Sequence, residues 1–130
     1  MEENPRFPKD LVGIKSRAFW EQMAHLAKTL PVVIDRPKGK PHPRWGGLVY
    51  PLNYGYLEGT SAADGSGIDV WLGSQGDRSL TGILCTYDRF KRDAELKLLI
   101  GCTTEDVQTI LAFQDENMRT LFIPRPEEIE

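Results

Sequence analysis

Apolar positions early in the chain recur with helical spacing. Phe19, Met23, Leu26 and Leu30 lie four, three and four residues apart, which predicts one stripe along a helix. Ser16 is the candidate cap at its start, and Pro31 stops its continuation. The pattern then changes. Val32-Val33-Ile34-Asp35 is a short β-branched run of strand character. Residues 36–47 hold Pro37, Pro41, Pro43, Gly39, Gly46 and Gly47, which predicts a loop. Strand-like runs follow at Leu48-Val49-Tyr50, Tyr54-Gly55-Tyr56-Leu57, 68–72, 80–85 and 96–100. Asp64-Gly65-Ser66-Gly67 and Ser74-Gln75-Gly76-Asp77 mark turns between them. Thr103 or Thr104 offers a cap for a second helix, with Glu105 and Asp106 in its first turn and Val107, Ile110 and Leu111 on its buried face. Leu121-Phe122-Ile123 closes with a short strand.

Five or six short strands, with one helix before and one after, predict a mainly β (α+β) fold. The expected form is a small five-stranded OB-like barrel flanked by an N-terminal and a C-terminal helix. A doubly wound parallel sheet needs a helix between successive strands, and residues 48–100 offer none. The first dozen residues, with Pro5 and Pro8, read as a loosely held arm.

Composition narrows the classes. At 130 residues, 40% hydrophobic and 27% charged, the chain suits one soluble domain spanning 1–130. No run approaches the roughly 18 apolar residues of a membrane helix. The start, Met1-Glu2-Glu3-Asn4-Pro5-Arg6, is acidic where a signal peptide is basic and then apolar, so a cytoplasmic location is expected. Cys85 and Cys102 are too few for a zinc site or a disulfide scaffold and read as small buried hydrophobes. The net charge of −3 argues against nonspecific nucleic-acid binding. Its distribution is uneven. Arg36, Lys38, Lys40, His42 and Arg44 form an acid-free basic strip, while Glu127, Glu128 and Glu130 make the tail acidic. A specific anionic ligand and a solvated loop both account for the strip.

Candidate chemistry begins at Asp64 and Asp69. Gly65 and Gly67 let the intervening backbone fold tightly, so the two carboxylates can converge. Magnesium is held by one or two carboxylates plus substrate phosphates, but an Asp-Gly-Ser-Gly segment is also an ordinary turn. Tyr54 and Tyr56 are two apart and share one strand face, toward a core or a ligand groove.

Taken together, Tyr50-Pro51-x-Asn53-Tyr54-Gly55-Tyr56 and the following Asp64-Gly65-x-x-x-Asp69-Val70 closely resemble the soluble family I inorganic pyrophosphatases. Val33-Ile34-Asp35 is similar to that family's acidic strand. The segment 82–88, ending in Asp88, is similar to its glycine-hydrophobic segment, and Ala94-Glu95-Leu96-Lys97 to its Asp-x-Lys pair. The resemblance spans about residues 32–113. It implies an OB-like barrel whose carboxylates hold Mg2+ (or Mn2+) around pyrophosphate and whose activity is its hydrolysis. Asp64, Asp69 and Glu95 would hold the principal metals, Asp88 a further one, and Asp35 one bound with substrate. Tyr54, Lys97 and Arg44 would contact phosphate, with Tyr54 and Lys97 as the catalytic pair.

Several positions depart from the family pattern. Ser66 stands where the family carries the middle of three aspartates, a residue that helps hold or deprotonate the attacking water. Serine cannot take that proton at neutral pH, and loss of a general base costs roughly 10²–10⁴ in rate. Glu95 replaces an aspartate. The hairpin before the Tyr-Pro block is compressed to Trp45-Gly46-Gly47, removing a phosphate-binding arginine, and Gln114-Asp115-Glu116-Asn117 replaces a tyrosine-lysine pair. The leading expectation is a divergent metal-dependent pyrophosphatase, or a hydrolase of a related phosphoanhydride, whose more open site suits a larger substrate. The alternatives are a degenerate relative that binds phosphate or metal without turnover, and an OB-like nucleic-acid binder stacking bases on Trp45, Tyr54 and Tyr56. Asp64, Asp69 and Asp88 weigh against the last, because carboxylates repel nucleic-acid phosphates. Apolar residues on the helices leave a homo-oligomer open, and no membrane partner is expected.

Overall fold

The computed structural model of the chain describes residues 6–8 and 16–127. The arm expected over the first dozen residues lies, apart from residues 6–8, outside the described residues. Helix α1 (Arg17–Thr29) precedes strands β1 (Val32–Arg36), β2 (Asn53–Leu57), β3 (Asp69–Leu72), β4 (Leu80–Asp88) and β5 (Asp93–Ile100). Helix α2 (Thr104–Asp115) and strand β6 (Arg119–Pro124) follow. All six strands join one sheet in the order β1-β2-β3-β5-β4-β6, antiparallel except for the parallel β3–β5 pair.

The sheet is open, which corrects the expected barrel. Closing β1 to β5 would require β1 to bond the outer edge of β4. That edge is already bonded to β6, from Gly82 opposite Pro124 to Tyr87 opposite Arg119. The run Leu48-Val49-Tyr50 is also no strand; only Val49 bridges, to Pro41.

Strand alternation gives the sheet two faces. One carries Leu57, Val70, Ile83, Leu98 and Ile100, and Trp20 and Ala27 of α1 pack onto it. Met23, Leu26 and Leu30 of the predicted helical stripe pack against this core, but Phe19 is 42% exposed and the first inward position is taken by buried Trp20. Small Ala24 and Ala27 let the helix approach the strands, and the Trp20 indole fills the space beside them. Ser16 occupies the N-cap position without a side-chain cap bond, and the helix ends before Pro31 with the Leu30 N–H on the Leu26 carbonyl.

The opposite face carries Trp71, Leu84 and Leu99 under Val107 and Ile110 of α2. Thr103 caps this helix, its hydroxyl accepting from the Asp106 N–H while the Asp106 side chain accepts from the Thr103 N–H. Asp106 also accepts from the Ser74 N–H and hydroxyl, both at 2.8 Å, tying α2 to the turn after β3. Burial raises the Asp106 carboxyl, but these donors outweigh it and hold the group below the ordinary range. Helix α2 packs on the Trp71 end of this face, where Tyr50, Tyr54, Phe113 and Phe122 join the cluster.

One glycine is indispensable to the layout. A Cβ at Gly55 would overlap the Val33 carbonyl oxygen, so β1 can pair closely with β2 only around a glycine. Cys102 is buried and Cys85 half-buried, both as free thiols. Among the described residues, no helix is long and apolar enough to cross a membrane.

Candidate functional site

On the α2-side face, Lys97 gathers three partners. Register explains the meeting. Tyr54 lies opposite Trp71, Tyr56 opposite Asp69, and Asp69 beside Lys97 in the parallel pair. Glu95 is two residues before Lys97 on β5 and so shares its face. The Lys97 ammonium donates to the Tyr54 hydroxyl at 2.8 Å, to Glu95 Oε1 at 2.9 Å and to Asp69 Oδ2 at 3.2 Å. Lys97 is only 3% exposed, yet its carboxylate partners keep 29% (Asp69) and 37% (Glu95) of their side chains in solvent. The cluster is a buried cation beneath two half-exposed anions.

Its electrostatics follow from that layering. Burial pulls the Lys97 ammonium down, but Tyr54, Asp69 and Glu95 outweigh it and hold the group above its ordinary value. Burial pushes the Asp69 carboxyl up, more than Lys97 pulls it down. The contact at 3.2 Å decides in favour of a charged pair at neutral pH. Tyr54 is raised, chiefly by burial, and stays a neutral phenol.

The remaining candidates sit apart. Asp64 lies in an exposed turn before β3, where its Oδ1 accepts from the Ser66 N–H at 3.0 Å and Gly65 takes φ +89°. Asp88 lies at the β4–β5 hairpin end, its Oδ1 accepting from the Phe90 and Lys91 N–H groups. Asp35 occupies the irregularity in β1 beside Arg36, 3.9 Å from its guanidinium. Arg44 stays on the exposed loop with its guanidinium 5.4 Å from the Trp45 ring centroid. Among the described residues, no group of three or more His, Cys, Asp or Glu could hold a metal ion. Asp69 and Glu95 are the two carboxylates that meet on the Lys97 ammonium. Magnesium needs only one or two carboxylates when phosphates and waters complete its shell, and Asp69 with Glu95 supply two.

No protein-family description matches this chain, and no curated protein matches it. Among solved structures, it is similar to an inorganic pyrophosphatase from Helicobacter pylori at 19% identity and a TM-score of 0.52, covering 75% of this chain and 84% of that one. The fold is pyrophosphatase-like. An inorganic pyrophosphatase from Coxiella burnetii is also similar, at 16% identity and a TM-score of 0.46, over 72% of this chain and 82% of that one.

Two positions bear on the site without having been singled out in the sequence. Arg36 lies opposite Tyr54 in the β1–β2 register and acts on the Tyr50 phenol. Thr86 is buried opposite Glu95. Both were visible only as a member of the basic strip and a polar residue in an apolar strand. A cleft of about 320 Å³ lies elsewhere, bordered by Glu21, His25, Lys28, Arg78 and Arg125, and contains none of these carboxylates. The chemistry sits on the α2-side sheet face.

Proposed function

We propose that this chain is a divergent hydrolase of phosphoanhydrides, acting on pyrophosphate or a relative with a divalent cation, Mg2+ or Mn2+, in a single cytoplasmic domain. The observation that carries the reading is the Lys97 cluster on a pyrophosphatase-like sheet. Hydrolysis adds water across the P–O–P bridge and releases two phosphate units. A divalent cation supplies Lewis-acid polarisation of a phosphoryl oxygen when bound. Asp69 and Glu95 would hold that cation, with Asp64 as a further ligand at the entrance of β3. Lys97, whose three N–H groups bond Tyr54, Glu95 and Asp69, would supply its positive charge to phosphate and donate to it by exchanging one of those acceptors, and the Tyr54 hydroxyl would be the second donor. Arg44 and Asp35 act from the neighbouring loop and strand, and Asp88 from the hairpin end.

The test is phosphate release from pyrophosphate, with Mg2+ and Mn2+ each supplied. Asp69→Asn abolishes metal-dependent release, and Ser66→Asp raises it by restoring an acceptor for the water's proton. Undiminished release by Asp69→Asn would sink the assignment.

A second reading has its own support. Asp64 and Asp88 spend side-chain oxygens on turn amides, and Ser66 offers no base. A relative that binds phosphate without turnover has these features; it would show Mg2+-dependent binding of imidodiphosphate but no release of phosphate from pyrophosphate.

A further inference from the structure

The loop joining β1 to β2 builds a ladder of rings that ends at the Lys97 cluster. Trp45 is 58% exposed, whereas the other two tryptophans, Trp20 and Trp71, are buried. Its ring centroid is 4.8 Å from that of His42, His42 stacks 6.3 Å from Tyr50, and Tyr50 is 5.4 Å from Tyr54. Tyr54 in turn receives the Lys97 ammonium at 2.8 Å. The ladder thus runs from an exposed indole to the proposed phosphate donor.

The loop is held in shape by its own bonds. The His42 N–H donates to the Leu48 carbonyl at 2.8 Å and the Leu48 N–H to the Trp45 carbonyl at 2.9 Å. His42 Nδ1 accepts from the Arg44 and Trp45 N–H groups at 2.9 and 3.2 Å, so one imidazole both stacks and positions the residues beside it. The loop itself is basic, with Asp35 just before it, 3.9 Å from Arg36. From Arg36 to Leu57 the chain contains no acid, and Arg36 and Arg44 flank the rings. Guanidinium groups grip phosphate oxygens in pairs, and an aromatic face accepts any base.

We propose that this ladder seats the base of a nucleoside di- or triphosphate whose terminal phosphates reach Lys97. The substrate class of the site is then a nucleotide phosphoanhydride. The inference rests on the reading of the Lys97 cluster as a phosphoanhydride site. A terminal polyphosphate that brings its own cation fits against Asp69 and Glu95. A nucleic-acid backbone does not, because its phosphates would meet those carboxylates in a chain of net charge −3.

The full chain is titrated, with Mg2+ present, against adenosine β,γ-imidotriphosphate and imidodiphosphate, following heat and tryptophan emission. The nucleotide analogue binds about tenfold tighter than imidodiphosphate, the size of one base stack, and quenches the emission of exposed Trp45. Trp45→Ala removes that tenfold advantage while imidodiphosphate affinity holds, and Trp45→Phe retains much of it. Because Trp45 is exposed, neither substitution disturbs the core. Equal affinities in the parent chain, or an equal loss for both ligands in Trp45→Ala, would overturn the inference. So would a single-stranded oligonucleotide that binds tighter than the nucleotide analogue. Pyrophosphate hydrolysis without a nucleotide preference overturns this inference alone. A Trp45-dependent preference without any phosphate release upholds it and overturns only the hydrolase reading.

Discussion

Replacing Lys97 with methionine keeps the length of the side chain and removes the charge that the cluster is built around. Three acceptors lose their donor: Tyr54 at 2.8 Å, Glu95 at 2.9 Å and Asp69 at 3.2 Å. Breaking a fully buried ion pair costs about 3–5 kcal/mol. Here the carboxylates keep about a third of their side-chain surface in water, which screens the orphaned charges. The expected loss is therefore about 2–3 kcal/mol, a large part of the roughly 5–15 kcal/mol that holds a domain together. Urea unfolding at neutral pH measures it. With a slope of about 1–3 kcal/mol/M, the midpoint falls by roughly 1 M or more. Lys97 is held above its ordinary value, so its contribution is fully present at neutral pH and is lost only as pH rises beyond the usual lysine range. Lys91→Met, an exposed hairpin position, is the control and shifts the midpoint by less than about 0.5 kcal/mol equivalent. An unchanged midpoint for Lys97→Met would refute the view of Lys97 as the cation that two carboxylates require.

Gly55→Ala drives a methyl into the Val33 carbonyl and costs about 1–3 kcal/mol, with loss of amide-exchange protection concentrated in β1; unaltered β1 protection contradicts the close approach. Asp106→Ala strips Ser74 and Thr103 of their acceptor and lowers stability by roughly 2–3 kcal/mol in thermal unfolding. Because the Asp106 carboxyl is held below its ordinary range, its contribution is complete above the usual aspartate pKa. It fades as pH falls through the folded value, so the parent and variant curves converge in acid. Burial, with Asp106 adding to it, pushes the Cys102 thiol up to about 12; in the native protein at pH 8 a thiol-specific reagent modifies Cys85 and spares Cys102. Equal modification rates would show that Cys102 is open to solvent.

Much of the architecture was legible in local pattern. Thr103 or Thr104 with two acids in the following turn announced the second helix, and the structure places the cap at Thr103. The strand runs at 54–57, 68–72, 80–85 and 96–100 became β2 to β5 with modest changes at their ends. Periodicity placed α1 and the inward residues Met23, Leu26 and Leu30 but not the first one, because Phe19 and Trp20 differ by one residue and only the sheet beneath decides which ring fits. The barrel expectation failed for a similar reason. Leu121-Phe122-Ile123 is recognisable as a strand, but nothing local says that it will claim the outer edge of β4.

The candidate site divides in the same way. Residue types and spacing set out the chemistry available: paired carboxylates, a lysine two residues beyond Glu95, two tyrosines on one strand face, and an acid-free basic loop. Local sequence also placed Asp64 in a turn, since Gly65 and Gly67 follow it, whereas nothing in Arg89-Phe90-Lys91-Arg92 announced that Asp88 would accept the amides of a hairpin end. Which acids share a centre was decided by the sheet. The parallel β3–β5 register sets Asp69 beside Lys97, while Asp64 and Asp88 close their own turns. Pairing between strands is a long-range choice made by burial on two faces at once, and it is there that a list of candidate ligands became one lysine, one tyrosine and two carboxylates.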